Sequence, residues 1–182
     1  VATTWENMHW GGAFSEDLIH WREFGDVLFP DKDGTMFSGS AIIDKKNLTG
    51  LQRGNEPAIL YFYTSAGNTS ETSKGKPFTQ CLAYSNDGGK TLIKYDKNPI
   101  IKNIIKENRD PKVIYCEPDD SYIMVLFLDG HSFAILNSKT LLDWSQIQEI
   151  TLPDDGECPD FYPLCADGDS KNIKWIFLDD SD

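Results

Sequence analysis

The sequence has no apolar run long enough to cross a membrane, and its basic residues do not cluster. The longest apolar stretch, residues 122–128 (YIMVLFL), is about a third of the ~20 residues that a transmembrane helix needs. The 182 residues include 17 Lys and Arg against 29 Asp and Glu, which gives a formal net charge of −12. Because the apolar run is so short, we expect no membrane span. Because phosphate contacts require clustered Lys and Arg, we expect no nucleic-acid partner. A neutral or cationic small-molecule partner is compatible with this acidic charge balance.

Cysteine is scarce, and its spacing matches no metal site. The four residues are Cys81, Cys116, Cys158 and Cys165, and no His lies near the last pair. Tetrahedral zinc spacing is therefore absent, and the cysteine density is too low for a disulfide scaffold. We expect no metal and no cofactor, and we interpret the cysteines as ordinary buried or semi-buried thiols.

Helical periodicity is weak, whereas strand signals recur at short intervals. Turn chemistry follows several of them, such as Asp129-Gly130, a two-residue hairpin signal. The pattern predicts two sets of four antiparallel strands, at 36–43, 58–64, 79–85 and 91–95, and at 112–117, 122–128, 131–137 and 144–150.

A turn motif recurs three times in matching context. It reads AFSEDLIHW at 13–21, AYSNDGGKTL at 83–92 and ILNSKTLLDW at 135–144. In the first and last copies a Ser precedes a Trp by six residues, and the middle copy has Leu92 near the Trp position. Four-stranded units with a recurring turn motif are typical of a β-propeller, so we predict an all-β propeller fold. A β-sandwich with accidentally similar hairpins is the alternative.

The predicted blades do not form a whole ring. Residues 1–24 supply the end of a first blade, 36–95 a second blade, 112–150 a third, and 160–182 the start of a fourth. About three blades' worth of strands, incomplete at both ends, cannot close. We therefore expect this chain to be a piece of a larger protein, with sheet edges open to other chains.

The starts of the innermost strands bring together residues that could carry chemistry. They present Phe37-Ser38, Arg109-Asp110 and a segment that begins with Glu157. Converging carboxylates suit glycoside hydrolysis, because crowding raises the pKa of one carboxyl while a nearby Arg keeps another ionised. Trp5 and Trp10 add aromatic surface for a sugar. Most acidic residues lie on solvated surfaces, so the residues alone leave a catalytic and a surface role open.

Five ordered motifs resemble glycoside hydrolase family 32, the family of invertases, inulinases, levanases and related β-fructofuranosidases. They are MHWGGAFSEDLIHW (8–21), MFSGSA (36–41), QCLAYSNDGGKT (80–91), RDPK (109–112) and ECPD (157–160). The resemblance implies a five-bladed propeller, usually followed by a β-sandwich domain. It also implies sucrose, levan or inulin as substrate, and a double displacement with retention through a covalent fructosyl-enzyme intermediate.

The resemblance assigns roles residue by residue. Asp110 matches the transition-state stabiliser, and Arg109 lies beside it in the fructose pocket. Glu157 matches the general acid/base. The sugar-subsite positions correspond to Trp10, Phe37 and Ser38.

Three departures from the family pattern affect these expectations. The nucleophilic Asp belongs to a Trp-Met-Asn-Asp-Pro-Asn-Gly type motif that residues 1–182 do not contain, so we expect the isolated chain to be inactive. Gly12 replaces a common His, which would alter the pocket edge, and Leu92 replaces a Trp. A non-catalytic carbohydrate-binding or degenerate propeller is the alternative function. The compartment stays open, with an extracellular or periplasmic location favoured over a cytoplasmic one.

The open edges lead to a first prediction. Since unpaired strand edges are templates for pairing, we expect the 182-residue chain to associate with itself as its concentration rises. Sedimentation velocity over a wide concentration range tests this, and a monomer at every concentration would contradict it.

Overall fold

The computed structural model describes residues 7–181. The regular structure of these residues consists of β-strands and a few short helices. The described part of the chain has only three short 3-10 helices (Glu71–Ser73, Glu117–Asp119 and Ala166–Gly168) and no helix able to span a membrane. The strands are β1 (Trp10–Ser15), β2 (Trp21–Leu28), β3 (Thr35–Ile43), β4 (Ile59–Ala66), β5 (Thr79–Ser85), β6 (Ile93–Lys94), β7 (Arg109–Cys116), β8 (Ser121–Asp129), β9 (Ser132–Ser138), β10 (Ser145–Thr151), β11 (Gly156–Cys165) and β12 (Ile173–Ser181). The predicted all-β class is confirmed.

The strands form antiparallel sheets whose strands follow one another in sequence order. Two sheets have four strands (β3–β6 and β7–β10), and β1–β2 and β11–β12 form two-stranded sheets. The first strands of three successive sheets, β3, β7 and β11, lie side by side. This is the arrangement of consecutive β-propeller blades. The division of the chain into blades and the number five stay predictions.

The central strands bury both of their faces, which explains their continuous apolar sequences. Alternate residues of a strand point to opposite faces. On β4, Leu60 and Phe62 belong to the core shared with the β7–β10 sheet, whereas Tyr63 belongs to the core shared with β1–β2. On β8, Leu126 faces the first of these cores and Phe127 faces β11–β12. The sheets therefore stack face to face around three apolar layers.

The recurring turn motif forms the same hydrogen bonds in its first and last copies. The Ser15 hydroxyl accepts from the Leu18 amide at 2.9 Å, and the Ser138 hydroxyl accepts from the Leu141 amide at 2.8 Å. Both leucines have positive φ, 65° and 67°. The indole of the following Trp then donates to the leucine carbonyl, at 3.1 Å and 3.2 Å. The sequence repeat is therefore a structural repeat.

The middle copy of the motif replaces the leucine with glycine. Gly88 has a φ of 76°, a backbone conformation that glycine adopts without steric cost. The Ser85 hydroxyl accepts from the amides of Asp87 and Gly89 at 3.3 and 2.9 Å. Leu92, which follows, packs against the apolar layer around Leu28. The turn is kept although its Trp is not.

The core between the two four-stranded sheets generates a stability prediction. Phe62 is fully buried and packs edge-to-face against Trp144, with ring centroids 5.8 Å apart. Truncation to Ala leaves a large cavity, so we expect Phe62→Ala to lower the free energy of unfolding by about 3–5 kcal/mol. Phe29, 55% exposed, provides the matched control, and Phe29→Ala should cost less than about 1 kcal/mol. Urea titration measures both, and equal losses would contradict this view of the core.

Candidate active site

Three β-bulges lie at corresponding places on the three adjacent first strands. The pairing register shifts between Met36 and Gly39, between Arg109 and Lys112, and between Glu157 and Asp160. Bulges of this kind redirect side chains and are frequent beside active sites. The residues that lose their ladder partners are Phe37–Ser38, Asp110–Pro111 and Cys158–Pro159, so each bulge falls within one of the sequence motifs.

Two of the bulges bring a pair of carboxyl groups to one guanidinium. Both Nη2 and Nε of Arg109 donate to Glu157 Oε2, at 2.5 Å and 3.1 Å. Nε of Arg109 also lies 3.6 Å from Asp110 Oδ2. The guanidinium carbon is 4.4 Å from the ring centroid of Phe127. This is a cation–π contact, which helps to hold the guanidinium in place. Arg109 therefore joins the two predicted catalytic carboxyl groups.

The two carboxyl groups differ in their exposure. The side chain of Asp110 is 7% exposed, whereas that of Glu157 is 46% exposed. Burial raises the pKa of Asp110, and the positive charge of Arg109 opposes this effect. The Cys158 amide also donates to Asp110 Oδ2, at 3.3 Å. The site thus pairs a fixed, enclosed carboxyl group with an accessible one, and burial outweighs like-charge crowding as the cause of the raised pKa.

The predicted sugar-subsite residues are only partly connected to this pair. The indole of Trp10 donates to the Phe37 carbonyl at 3.0 Å, and the Phe37 ring packs edge-to-face on Phe78 with centroids 5.6 Å apart. Phe78 and Arg109 line one cavity of about 600 Å³. Ser38 is exposed, and its hydroxyl makes no hydrogen bond within residues 7–181. Trp5 lies outside the described residues.

Gly12, the expected departure at the pocket edge, is packed against an aromatic ring. A Cβ atom built on Gly12 would lie 2.3 Å from the ring of Phe24. A larger residue at this position would therefore have to displace Phe24.

The cysteine interpretation is partly wrong. Cys81 is buried, but Cys158 and Cys165 are exposed. The Cys158 thiol lies 3.7 Å from Asp110 Oδ2, inside the site, because the bulge gives Cys158 a φ of 51°. Desolvation of the thiol and the negative charges of Asp110 and Glu157 raise the pKa of Cys158 to about 11. The raised pKa favours the thiol over the thiolate, which is the nucleophilic form.

Other residues of the site escaped the sequence analysis. Phe127 sits in a run of apolar residues that gave no sign of a cation–π contact. Thr64 and Gln80 are polar residues within apolar strands, and both are fully buried. A polar side chain in a strand with two buried faces is the signal that would have identified these two.

A family model, curated relatives and solved structures all match most of this chain. The model described as "Glycosyl hydrolases family 32 N-terminal domain" matches residues 1–179. A levanase of Bacillus subtilis is 40% identical over 179 residues, covering 94% of this chain and 25% of the levanase. A fructan beta-fructosidase of Streptococcus mutans is 37% identical over 96% of this chain and 12% of its own length. The solved fructofuranosidase of Schwanniomyces occidentalis complexed with fructose is 30% identical, with a TM-score of 0.82 over 97% of this chain and 35% of that one.

The raised pKa of Asp110 generates a prediction for stability against pH. Since the folded pKa lies above the ordinary value of 3.8, the folded state holds a proton that the unfolded state has lost, and stability falls as the pH rises through this range. Asn removes the buried charge and tolerates the φ of 62°. We therefore expect Asp110→Asn to be more stable than the wild type at neutral pH, with a gain that vanishes as the pH falls towards 3.8.

The control for this prediction is a carboxyl group with the opposite shift. Hydrogen bonds from Thr91 and then Ser85 lower the pKa of Asp87 to about 2. Its charge stabilises the fold above pH 3.8, and that stability is lost as the pH falls from 3.8 towards 2. Asp87→Asn should therefore destabilise the fold at neutral pH. Thermal unfolding from pH 2 to 8 measures both variants, and a loss of stability in Asp110→Asn at neutral pH would contradict the prediction.

Proposed function

Because the chain belongs to glycosyl hydrolase family 32, we propose that it forms part of the catalytic propeller of a β-fructofuranosidase that acts on sucrose, levan or inulin. The chain spans at most about a third of the length of the relatives described above. The observation that carries the proposal is the sharing of one guanidinium by Asp110 and Glu157 at adjacent bulges. The levanase and fructan beta-fructosidase relatives support fructose polymers as the substrate class.

In this proposal Glu157 is the general acid/base. A carboxyl group that exchanges protons with a leaving oxygen and then with water must be accessible, and Glu157 is the more exposed of the pair. Its proton passes to the glycosidic oxygen as the bond to the fructosyl anomeric carbon breaks. In the second step Glu157 takes a proton from the attacking water, whose oxygen bonds to that carbon.

Asp110 stabilises the transition state in the same scheme. The fructosyl group develops positive charge as the leaving group departs, and an enclosed, ionised carboxyl group offsets that charge more strongly than a solvated one. Arg109 opposes the effect of burial on the pKa of Asp110, which favours the ionised form that this role requires. The low exposure of Asp110 suits a stabiliser better than a group that must exchange protons with water.

The nucleophile is a third carboxylate, which the recognised motifs of residues 1–182 do not supply. Attack by it would form a covalent fructosyl ester, and hydrolysis of that ester would give retention. Both hydrogen bonds from Arg109 reach Oε2 of Glu157, so Oε1 is the oxygen that passes the proton to the leaving group. We expect the hydroxyl groups of a fructosyl unit, held beside Trp10, Phe37 and Ser38, to compete for the guanidinium.

Release of fructose by the whole protein tests this proposal. We expect Glu157→Gln to lower kcat on sucrose, levan or inulin by about 10²–10⁴-fold, the usual contribution of a general acid. The loss should be smaller on a β-fructoside with an activated leaving group, because such a group departs without a proton. Asp110→Asn should lose activity on both kinds of substrate. Glu149→Gln, a change on the exposed strand β10, is the control and should leave kcat unchanged.

The 182-residue chain, assayed in parallel, should show no hydrolysis. Activity in the isolated chain would mean that the nucleophile lies within residues 1–182. A whole protein that binds fructans but hydrolyses none of the three substrates would favour the alternative of a carbohydrate-binding or degenerate propeller.

A further inference from the structure

A line of buried polar side chains crosses three strands and ends at the backbone of Asp110. Thr64 on β4 and Gln80 on β5 are directly opposite each other in the strand pairing. The Thr64 hydroxyl donates to Gln80 Oε1 at 2.7 Å, and the amide of Asp110 donates to Thr64 Oγ1 at 3.1 Å. Gln80 Nε2 donates to the carbonyl of Asn108 at 2.9 Å. Thr64, Gln80 and Asn108 are all completely buried.

The direction of each hydrogen bond in this line is fixed. The carbonyl of Asn108 can only accept, so the amide nitrogen of Gln80 must face it and Oε1 must face Thr64. Because the single proton of the Thr64 hydroxyl goes to Oε1, the hydroxyl oxygen is left as an acceptor. The only role it can then take towards Asp110 is to receive the amide proton.

This polar line lies where an apolar residue would pack well. Thr64 shares its face of β4 with Leu60 and Phe62, which belong to the core between the two four-stranded sheets. A buried hydroxyl or amide costs free energy unless it is hydrogen-bonded, and Val has nearly the same shape as Thr. Packing alone therefore does not account for Thr64. The feature that distinguishes Thr from Val here is the hydroxyl oxygen, which accepts the hydrogen bond from the amide of Asp110.

The amide of Asp110 needs such a partner because the bulge removes it from the β7–β8 pairing. Asp110 also has a φ of 62°, a left-handed conformation that Asp and Asn adopt more readily than other non-glycine residues and that the surroundings must still hold in place. Gln80 holds Thr64 and, through Asn108, the chain two residues before Asp110. The two side chains thus fix the backbone on both sides of Arg109.

We infer that Thr64 is a positioning residue for catalysis, oriented by Gln80, which holds the backbone of Asp110 so that its carboxyl group lies beside Arg109 and Glu157. The inference rests on the proposed function, since it assigns Thr64 a part in the same site. Thr64 touches no substrate in this role. A displacement of about 1 Å in a catalytic group can cost about 10²-fold in rate, so loss of this contact should be measurable.

Steady-state kinetics of the whole protein tests the inference with Thr64→Val and Thr64→Ser. Val keeps the shape and removes the acceptor, so we expect kcat to fall by about 10- to 100-fold with little change in KM, because stabilisation specific to the transition state is lost. Ser keeps the hydroxyl and should restore most of kcat. A merely structural role would lower the thermal midpoint and leave kcat at low temperature unchanged.

Thr49→Val is the matched control. Thr49 also donates a hydrogen bond, at 2.7 Å to the buried Asp44, but it lies in the loop that follows β3, at the end of that strand opposite the bulge. We expect this variant to lose stability and to keep the wild-type kcat. If Thr64→Val does not fold, Thr64→Ala takes its place with the same expected loss of kcat.

The outcomes separate this inference from the proposed function. A folded Thr64→Val or Thr64→Ala protein with wild-type kcat would overturn the inference, as would a Thr64→Ser protein that is as impaired as Thr64→Val. Asp110→Asn and Glu157→Gln are measured in the same series. If these two variants keep full hydrolysis, the proposed function itself has failed. If they are inactive while Thr64→Val is not impaired, only the positioning role has failed.

Discussion

The burial of both faces of the central strands is the constraint on which the rest of the structure depends. Leu60 and Phe62 fill one apolar layer while Tyr63, on the same strand, fills another. A sheet with two buried faces must pack between two neighbours, so the sheets stack and bring their first strands together. A site can form there because β3, β7 and β11 present equivalent positions at close range. Packing therefore decides where the candidate site lies.

The same packing sets the electrostatics of the site. Asp110 is buried, and this burial raises its pKa, while Arg109 acts in the opposite direction. Glu157 lies on β11, at the more open side, and remains accessible. One guanidinium thus joins two carboxyl groups in different surroundings, and different surroundings are what allow two chemically similar groups to take different roles.

Much of the fold could be predicted from local chemistry. The strands, the hairpin turns and the Ser–Trp turn motif depend on residues close together in the sequence, and their hydrogen bonds in the structure are local too. Strand β7 begins three residues earlier than predicted, because the bulge at Asp110 interrupts the alternation on which the prediction depended. The exposed Cys158 was mispredicted for a related reason, since its position follows from the bulge in β11 and not from its residue type.

By itself, the sequence determined the all-β class, the order of the strands and the identity of the charged residues in the motifs. The fold class and strand order follow from side-chain alternation and turn chemistry, which act over a few residues, and the charged motif residues were identified by the family resemblance. Only the tertiary structure decided that Arg109 pairs with Glu157, 48 positions away. It also decided that Thr64 accepts a hydrogen bond from the amide of Asp110, 46 positions away. Such contacts depend on how sheets stack and where bulges fall, and those result from packing over the whole chain.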